Sequence, residues 1–267
     1  MEALRDKEMR VALFQMYIEW ENKTKNFEHL ENELEKLQSE EIDLLLLPEM
    51  SFTGFSMNTD KTKEADEHTV NQMKKYAIKY NVSIGFGWVK DCGEKSENHY
   101  TIVNNIGEIL SDYVKIHPFS YSGEDVYFQG GKEIVSYSFL DTEFSTLICY
   151  DLRFPEVFQI ASKTADVIIV PANWPEKRSE HWKSLLKARA IENQVYVFAI
   201  NCCGRIGGQY YSGDSCIINP DGKVLDIITD KEGIIVYEFV NDVKQYRDDF
   251  PTKRDRVDTL YYELLKG

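Results

Sequence analysis

The sequence is poor in proline, cysteine and positive charge. Its 267 residues include 7 Pro and 5 Cys, and 45 acidic against 31 basic side chains give a formal net charge of −14. Nucleic-acid backbones and anionic membrane surfaces bind clustered positive charge, so we expect neither as a partner. No stretch approaches the roughly 20 apolar residues that span a bilayer, and residues 1–10 are too charged for a signal peptide's apolar region. We therefore expect a cytoplasmic protein.

The cysteines indicate free thiols. Disulfide frameworks and zinc sites need paired cysteines at short, regular spacings. This chain has an odd number, without that spacing: Cys92, Cys149, Cys202, Cys203 and Cys216. The pattern predicts no metal site and leaves each thiol available for chemistry.

Strand and helix patterns alternate along the chain without a repeat, a low-complexity segment or a long linker. This predicts one domain over residues 1–267, large enough to bury a substantial core. Some predicted strands, such as residues 43–47, are almost wholly apolar, whereas others alternate. Strands buried on both faces lie inside a layered structure, so the pattern predicts an α/β sandwich of two packed sheets with helices outside.

Three reactive side chains each follow a predicted strand. Glu49 follows the apolar run 44–48, Lys115 follows residues 109–114, and Cys149 follows 144–148 just before a helix start at Pro155. Taken singly, such residues are usually a solvated acid, a surface lysine and an inert core thiol. Ligands bind beyond the carboxyl ends of strands in α/β sheets, so the three side chains could converge at one crevice.

The segments around these residues resemble the nitrilase superfamily of carbon-nitrogen hydrolases. Three segments carry the resemblance: 47–50 (LPEM), 113–117 (YVKIH) and 148–156 (ICYDLRFPE). The resemblance implies a Glu, Lys, Cys triad, a four-layer α-β-β-α sandwich, frequent dimerisation and no cofactor. Four further segments are similar to the bacterial omega-amidase branch, which cleaves the distal amide of 2-oxoglutaramate: 172–175 (ANWP), 181–182 (HW), 188–194 (ARAIENQ) and 211–215 (YSGDS).

The triad assigns a step of amide hydrolysis to each residue. A thiol with a pKa of about 8.5 is mostly protonated at neutral pH, so Cys149 needs a base, and Glu49 is the candidate. The Lys115 ammonium would hold the thiolate and, with the Tyr150 backbone N–H, stabilise the oxyanion. Water would then hydrolyse the Cys149 thioester. Glu124 resembles the second glutamate that many family members place beside the triad, with Asp125 as the alternative.

The substrate pocket is assigned on the same resemblance. Arg153 resembles the arginine that binds the substrate carboxylate in omega-amidases, where a guanidinium fork suits bidentate contact. The alternative for Arg153 is an ion pair with Glu156 or Asp151. Trp174 would wall the pocket or pack in the core. Tyr150 could line it.

Two further positions concern the same pocket. Asn173 could bind the ligand or only hold its own turn. Relatives usually carry an arginine where this chain has Cys202-Cys203, which leaves the far side of the pocket open.

The expected function is therefore an omega-amidase acting on a small-molecule amide, and two other reactions of the superfamily stay open. A nitrilase or an N-carbamoyl hydrolase would use the same triad. A binding protein without turnover is a further alternative. A thiol peptidase with His117 or His181 as the base lacks the usual flanking pattern.

Overall fold

The computed structural model describes residues 8–266. Residues 1–7, where the sequence predicts no signal peptide, and residue 267 lie outside the described residues. Strands account for most of the chain's core. They are β1 (Met9–Gln15), β2 (Leu44–Leu46), β3 (Ser83–Asp91), β4 (Ser96–Val103), β5 (Ile109–Val114), β6 (Ser136–Phe139), β7 (Thr142–Thr146), β8 (Val167–Ala172), β9 (Tyr196–Asn201), β10 (Cys203–Ile206), β11 (Gln209–Ile218), β12 (Val224–Thr229) and β13 (Gly233–Phe239).

The α-helices alternate with these strands, as the sequence pattern predicts. They are α1 (Lys23–Leu37), α2 (Thr59–Thr62), α3 (His68–Tyr80), α4 (Glu124–Tyr127), α5 (Pro155–Ala161), α6 (Ser179–Asn193), α7 (Val243–Asp249) and α8 (Asp258–Leu265). No helix within residues 8–266 is long and apolar enough to cross a membrane.

The strands form two mixed sheets. The first has the order β13-β1-β2-β3-β4-β5, and the second has the order β10-β11-β9-β8-β7-β6 with β12 paired to β11. Parallel pairing joins β1, β2 and β3 in the first sheet and β7, β8 and β9 in the second. Each sheet therefore has a parallel centre flanked by antiparallel strands.

Strand β1 shows how the sequence builds the layers. Side chains of successive strand residues point to opposite faces. Val11 and Leu13 pack in the core cluster that contains the second sheet, whereas Ala12 and Phe14 pack in the cluster that contains α1 and α3. Both faces are apolar because both are covered.

Helices cover the outer face of each sheet. The cluster outside the first sheet includes Leu30 of α1 and Met73 of α3, and Phe158 of α5 and Leu186 of α6 pack against the second sheet. The predicted α/β fold, a four-layer α-β-β-α sandwich, is confirmed.

Two predicted strands are shorter in the structure. The strand expected over residues 43–47 is Leu44–Leu46, and the strand expected to run to residue 148 ends at Thr146, because the chain turns before Cys149. Beyond β13, two helices, α7 and α8, are separated around Pro251. The β10–β11 hairpin was not predicted, although its Gly207-Gly208 turn, with both φ values positive, is a recognisable hairpin signal.

Gly87 of β3 lets the chain after β2 lie directly against the sheet. A Cβ atom at this position would come 2.2 Å from the Met50 nitrogen and 2.8 Å from the Glu49 carbonyl carbon. The close approach fixes where the Glu49 main chain can lie.

We expect Gly87→Ala to lower the free energy of unfolding by roughly 1–3 kcal/mol through overpacking and to reduce kcat by displacing Glu49. Gly93→Ala is the control, because its Cβ would have no neighbour within 4 Å although its φ is +92°. The control should lose some stability to backbone strain and keep its kcat. Thermal unfolding and activity of both variants test this, and equal kcat values would contradict it.

Candidate active site

Strand ends from both sheets meet at one crevice. Glu49 follows β2, Cys149 follows β7 and Asn173 directly follows β8, all beyond the carboxyl ends of parallel strands. Lys115 follows β5, and Glu124 begins the short helix α4. The sheet topology therefore gathers residues that are far apart in the sequence.

A buried cluster of one ammonium and two carboxylates lies at the floor of the crevice. Lys115 Nζ donates to Glu49 Oε1 at 2.9 Å and to the Glu124 oxygens at 3.1 and 2.9 Å. Asn98 Nδ2 bridges the same carboxylates, donating to Glu49 Oε1 at 2.8 Å and Glu124 Oε1 at 3.2 Å. All three charged side chains are at most 1% exposed. The alternative residue, Asp125, is exposed.

Asn173 holds the other side of Glu49. Its backbone N–H donates to Glu49 Oε2 at 2.9 Å, and its side-chain amide donates to the Glu49 carbonyl oxygen at 2.5 Å. Cys202 Sγ lies 3.2 Å from Asn173 Oδ1. Asn173 therefore orients the Glu49 carboxylate, and the Cys202 thiol contacts the side-chain oxygen of Asn173.

Cys149 lies in a strained turn held by Asp151. It begins a 3₁₀ helix, Cys149–Arg153, with φ = +46°, a left-handed conformation that is unusual for a residue other than glycine. Asp151 Oδ2 accepts from the Ile148 N–H at 2.9 Å and from the Tyr113 hydroxyl at 2.8 Å. Its Oδ1 accepts from the His117 N–H at 3.0 Å. One buried carboxylate thus joins the turn of Cys149 to the segment that carries Lys115.

The charges around Cys149 favour a protonated thiol at rest. Burial raises the pKa of Cys149 well above its usual value, the Glu49 carboxylate raises it further, and the Lys115 ammonium offsets only part of this. Burial alone would lower the pKa of Lys115, but the Glu124 and Glu49 carboxylates outweigh it and raise that pKa. Burial also raises the pKa of Glu124, against the attraction of Lys115. These shifts favour a charged Lys115 beside a protonated Cys149 thiol.

Above Cys149 is a pocket of about 240 Å³. The predicted residues Tyr150, Arg153, Asn173 and Trp174 line it, together with residues that the sequence analysis missed: Trp20, Phe55, Phe119, Tyr121, Ser122, Pro175, Arg178, Ile206, Gly207, Gln209 and Tyr211. Most of them come from loops and turns, where no periodic pattern marks them, and Ile206, Gln209 and Tyr211 come from the β10–β11 hairpin. A larger cavity of about 620 Å³ beside α1 and α3 contains no cysteine and lies away from this chemistry.

Arg153 is available to a ligand. The alternative ion pairs do not form: Asp151 is engaged as described above, and Arg153 Nη2 instead lies 3.3 Å from His181 Nδ1. The Arg153 guanidinium carbon lies 4.8 Å from the Trp174 ring centroid. Trp174 is 4% exposed and donates its Nε1–H to the Arg178 carbonyl oxygen at 2.8 Å, so it both packs and walls the pocket.

The remaining thiols are free: Cys92, Cys202, Cys203 and Cys216. Within the part of the chain that the structure describes, no group of three or more His, Cys, Asp or Glu side chains is placed to hold a metal ion. The chemistry that this site can perform is nucleophilic attack by a thiol beside a carboxylate base and an ammonium.

The chain is similar to known proteins over most of its length. The carbon-nitrogen hydrolase family model matches residues 10–248. A 2-oxoglutaramate amidase of Bacillus subtilis is 35% identical over 94% of this chain and 98% of its own. Omega-amidase YafV of Escherichia coli K12 is 32% identical over 92% of this chain and 96% of its own. A Xanthomonas campestris structure, described as a CN-hydrolase superfamily protein with an arsenic adduct in the active site, superimposes with a TM-score of 0.88 at 28% identity, covering 94% and 97% of the two chains.

A thiol, a carboxylate and an ammonium at the joined strand ends of a four-layer sandwich define an enzyme of the nitrilase-like class. The chain belongs to the carbon-nitrogen hydrolase family. It is an enzyme that hydrolyses carbon-nitrogen bonds, and the resemblance noted in the sequence is confirmed.

We expect Asp151→Asn to lower the free energy of unfolding by about 2–4 kcal/mol, because an amide cannot accept all the donors that Asp151 binds. It should also lower kcat by loosening the Cys149 turn. Asp112→Asn is the control: Asp112 also binds a histidine and a hydroxyl, His99 and Thr101, but outside the site. Measured at a temperature where both variants are folded, a kcat of Asp151→Asn as high as that of the control would contradict the assignment.

Proposed function

We propose that the protein is a cysteine amidase that cleaves the omega-amide of 2-oxoglutaramate, or of a similar omega-amide dicarboxylate, to the acid and ammonia. The observation that supports this best is the buried cluster of Glu49, Lys115 and Glu124 beside Cys149, under a pocket with an available Arg153. The activities named for the Bacillus subtilis and Escherichia coli relatives are of this kind.

Acylation begins from the thiol. Glu49 takes the Cys149 proton as sulfur attacks the amide carbon, so that the charge passes to the amide oxygen. Lys115 and the Tyr150 N–H stabilise this oxyanion, and each such donor contributes roughly 3–4 kcal/mol. Protonated Glu49 then returns the proton to the departing nitrogen. The C–N bond breaks, ammonia leaves and a thioester remains on Cys149.

Deacylation reverses these roles with water as the nucleophile. The Glu124 and Glu49 carboxylates are close enough to share Lys115 and Asn98, so a water between them would be oriented toward the thioester carbon. One carboxylate accepts the water proton, the new C–O bond forms and the C–S bond breaks. The proton returns to sulfur and restores the resting thiol.

The pocket suits a short anionic substrate. Its volume of about 240 Å³ lies below the roughly 300–1,000 Å³ of drug-sized sites. Arg153 would bind the carboxylate at the end of the substrate remote from the scissile amide, with Trp174 and Tyr150 as walls. We further propose that residues 1–267 form one domain, that the enzyme is a cytoplasmic homodimer, and that it uses no cofactor.

Ammonia release from three substrates tests the substrate class. We expect 2-oxoglutaramate to be hydrolysed with a much higher kcat/KM than N-carbamoyl-β-alanine, whose carbonyl is a less electrophilic urea, or a simple nitrile, which has no carboxylate for Arg153. A dominant carbamoyl activity would identify an N-carbamoyl hydrolase, and a dominant nitrile activity a nitrilase. Either result would overturn the omega-amidase proposal.

Two substitutions distinguish the proposed base, Glu49, from His117, the histidine that binds Asp151. We expect Glu49→Gln to lower kcat by about 10²–10⁴, the contribution typical of a general base. His117→Ala removes a ring that stacks on Phe154 at 3.8 Å and binds Asp151, so it should lose stability and keep most of its kcat. The opposite ranking, with both variants folded, would support a thiol peptidase arrangement instead.

A further inference from the structure

A second arginine shares the pocket with Arg153 and Cys149. Arg178 ends the 3₁₀ turn Glu176–Arg178 that follows β8. Its guanidinium carbon lies 5.5 Å from the Phe119 ring centroid, just as Arg153 lies over Trp174. Each guanidinium therefore rests on an aromatic wall of the cavity, where its direction is restricted.

Neither guanidinium is neutralised by a carboxylate of the described chain. The residues that line the pocket include both arginines and no Asp or Glu. The two cations line the same pocket, and besides burial the charge of Arg178 lowers the pKa of Arg153, as expected for two cations that repel each other. The chain as a whole has a net charge of −14, but this pocket carries two positive charges without a neighbouring carboxylate. A bound anion would reduce the repulsion between them.

We propose that Arg178, together with Arg153, binds the carboxylate and the neighbouring 2-oxo group of the substrate and so selects 2-oxo acid amides over 2-amino acid amides. This inference rests on the proposed function. A 2-oxo acid presents oxygen acceptors on two adjacent carbons, and two guanidiniums can donate to both groups at once. A 2-amino acid places an ammonium where the oxo group would lie, and two arginines repel it.

The selection acts by repulsion as well as attraction. Removing one guanidinium should weaken binding of the 2-oxo acid and at the same time relax the exclusion of the 2-ammonium group. The scissile amide lies at the other end of the substrate, against Cys149. The change should therefore appear mainly in KM and in the ratio between substrates.

The test is the substitution Arg178→Gln, assayed with 2-oxoglutaramate, glutamine and butanamide as a neutral amide. We expect kcat/KM for 2-oxoglutaramate to fall by about 10- to 100-fold, the loss of a charge-assisted hydrogen bond, mainly through KM. The preference for 2-oxoglutaramate over glutamine should fall by a similar factor or more. The Trp174 contact is kept, because Arg178 accepts that bond through its backbone oxygen.

Lys177→Gln is the matched control. Lys177 precedes Arg178 in the same turn, is exposed and does not line this pocket, so the substitution removes the same charge without removing the contact. It should leave both substrate ratios near those of the wild type. Equal effects of the two substitutions would show a long-range charge effect and overturn the role of Arg178.

The remaining outcomes distinguish this inference from the proposed function. If Arg178→Gln lowers kcat/KM for the neutral amide as much as for 2-oxoglutaramate, the residue is structural and the inference is wrong. If the wild type prefers 2-oxoglutaramate and Arg178→Gln keeps that preference over glutamine, the inference alone is wrong. A wild type that shows no preference for carboxylate-bearing amides overturns both.

Discussion

A buried lysine ammonium holds this site together. Glu49 and Glu124 are both excluded from solvent, and without Lys115 two like charges would face each other in a medium that screens them poorly. Breaking such a buried pair by removing one partner typically costs about 3–5 kcal/mol. Lys115 therefore stabilises the folded site by separating two carboxylates. The same ammonium is also available to stabilise an oxyanion.

The four-layer fold explains why such a cluster can exist. Parallel strands from two sheets end at the same crevice, and their residues are buried on both faces, so each strand end is positioned by packing on all sides. The main chain of Glu49 is pressed against Gly87, and Asn173 binds both its carboxylate and its carbonyl oxygen. Rigid placement matters here because a base must reach the thiol proton at the moment of attack.

The architecture could be predicted from the sequence because wholly apolar strands indicate layers on both faces. The triad assignment rests on the resemblance carried by the segments around Glu49, Lys115 and Cys149, and strand ends alone indicated only that these residues could converge. What the sequence could not predict depends on contacts between distant segments. The positive φ of Cys149 and its support by Asp151 depend on Tyr113 and His117, and Arg178 enters the pocket from a turn with no periodic pattern.

One difference between expectation and structure lies at the turn before Cys149. The strand before this turn ends at Thr146 rather than residue 148. The electrostatics of the turn agree with the expected need for a base, because burial and the Glu49 carboxylate raise the pKa of Cys149 and so favour its protonated form.

The most direct test of this account is a rapid acid quench of the wild-type enzyme mixed with 2-oxoglutaramate, followed by peptide mass analysis. The account predicts a transient adduct on Cys149 with the mass of the substrate less ammonia, formed together with the first ammonia released. Steady ammonia release from a Cys149→Ala protein, or an adduct on another residue, would contradict it.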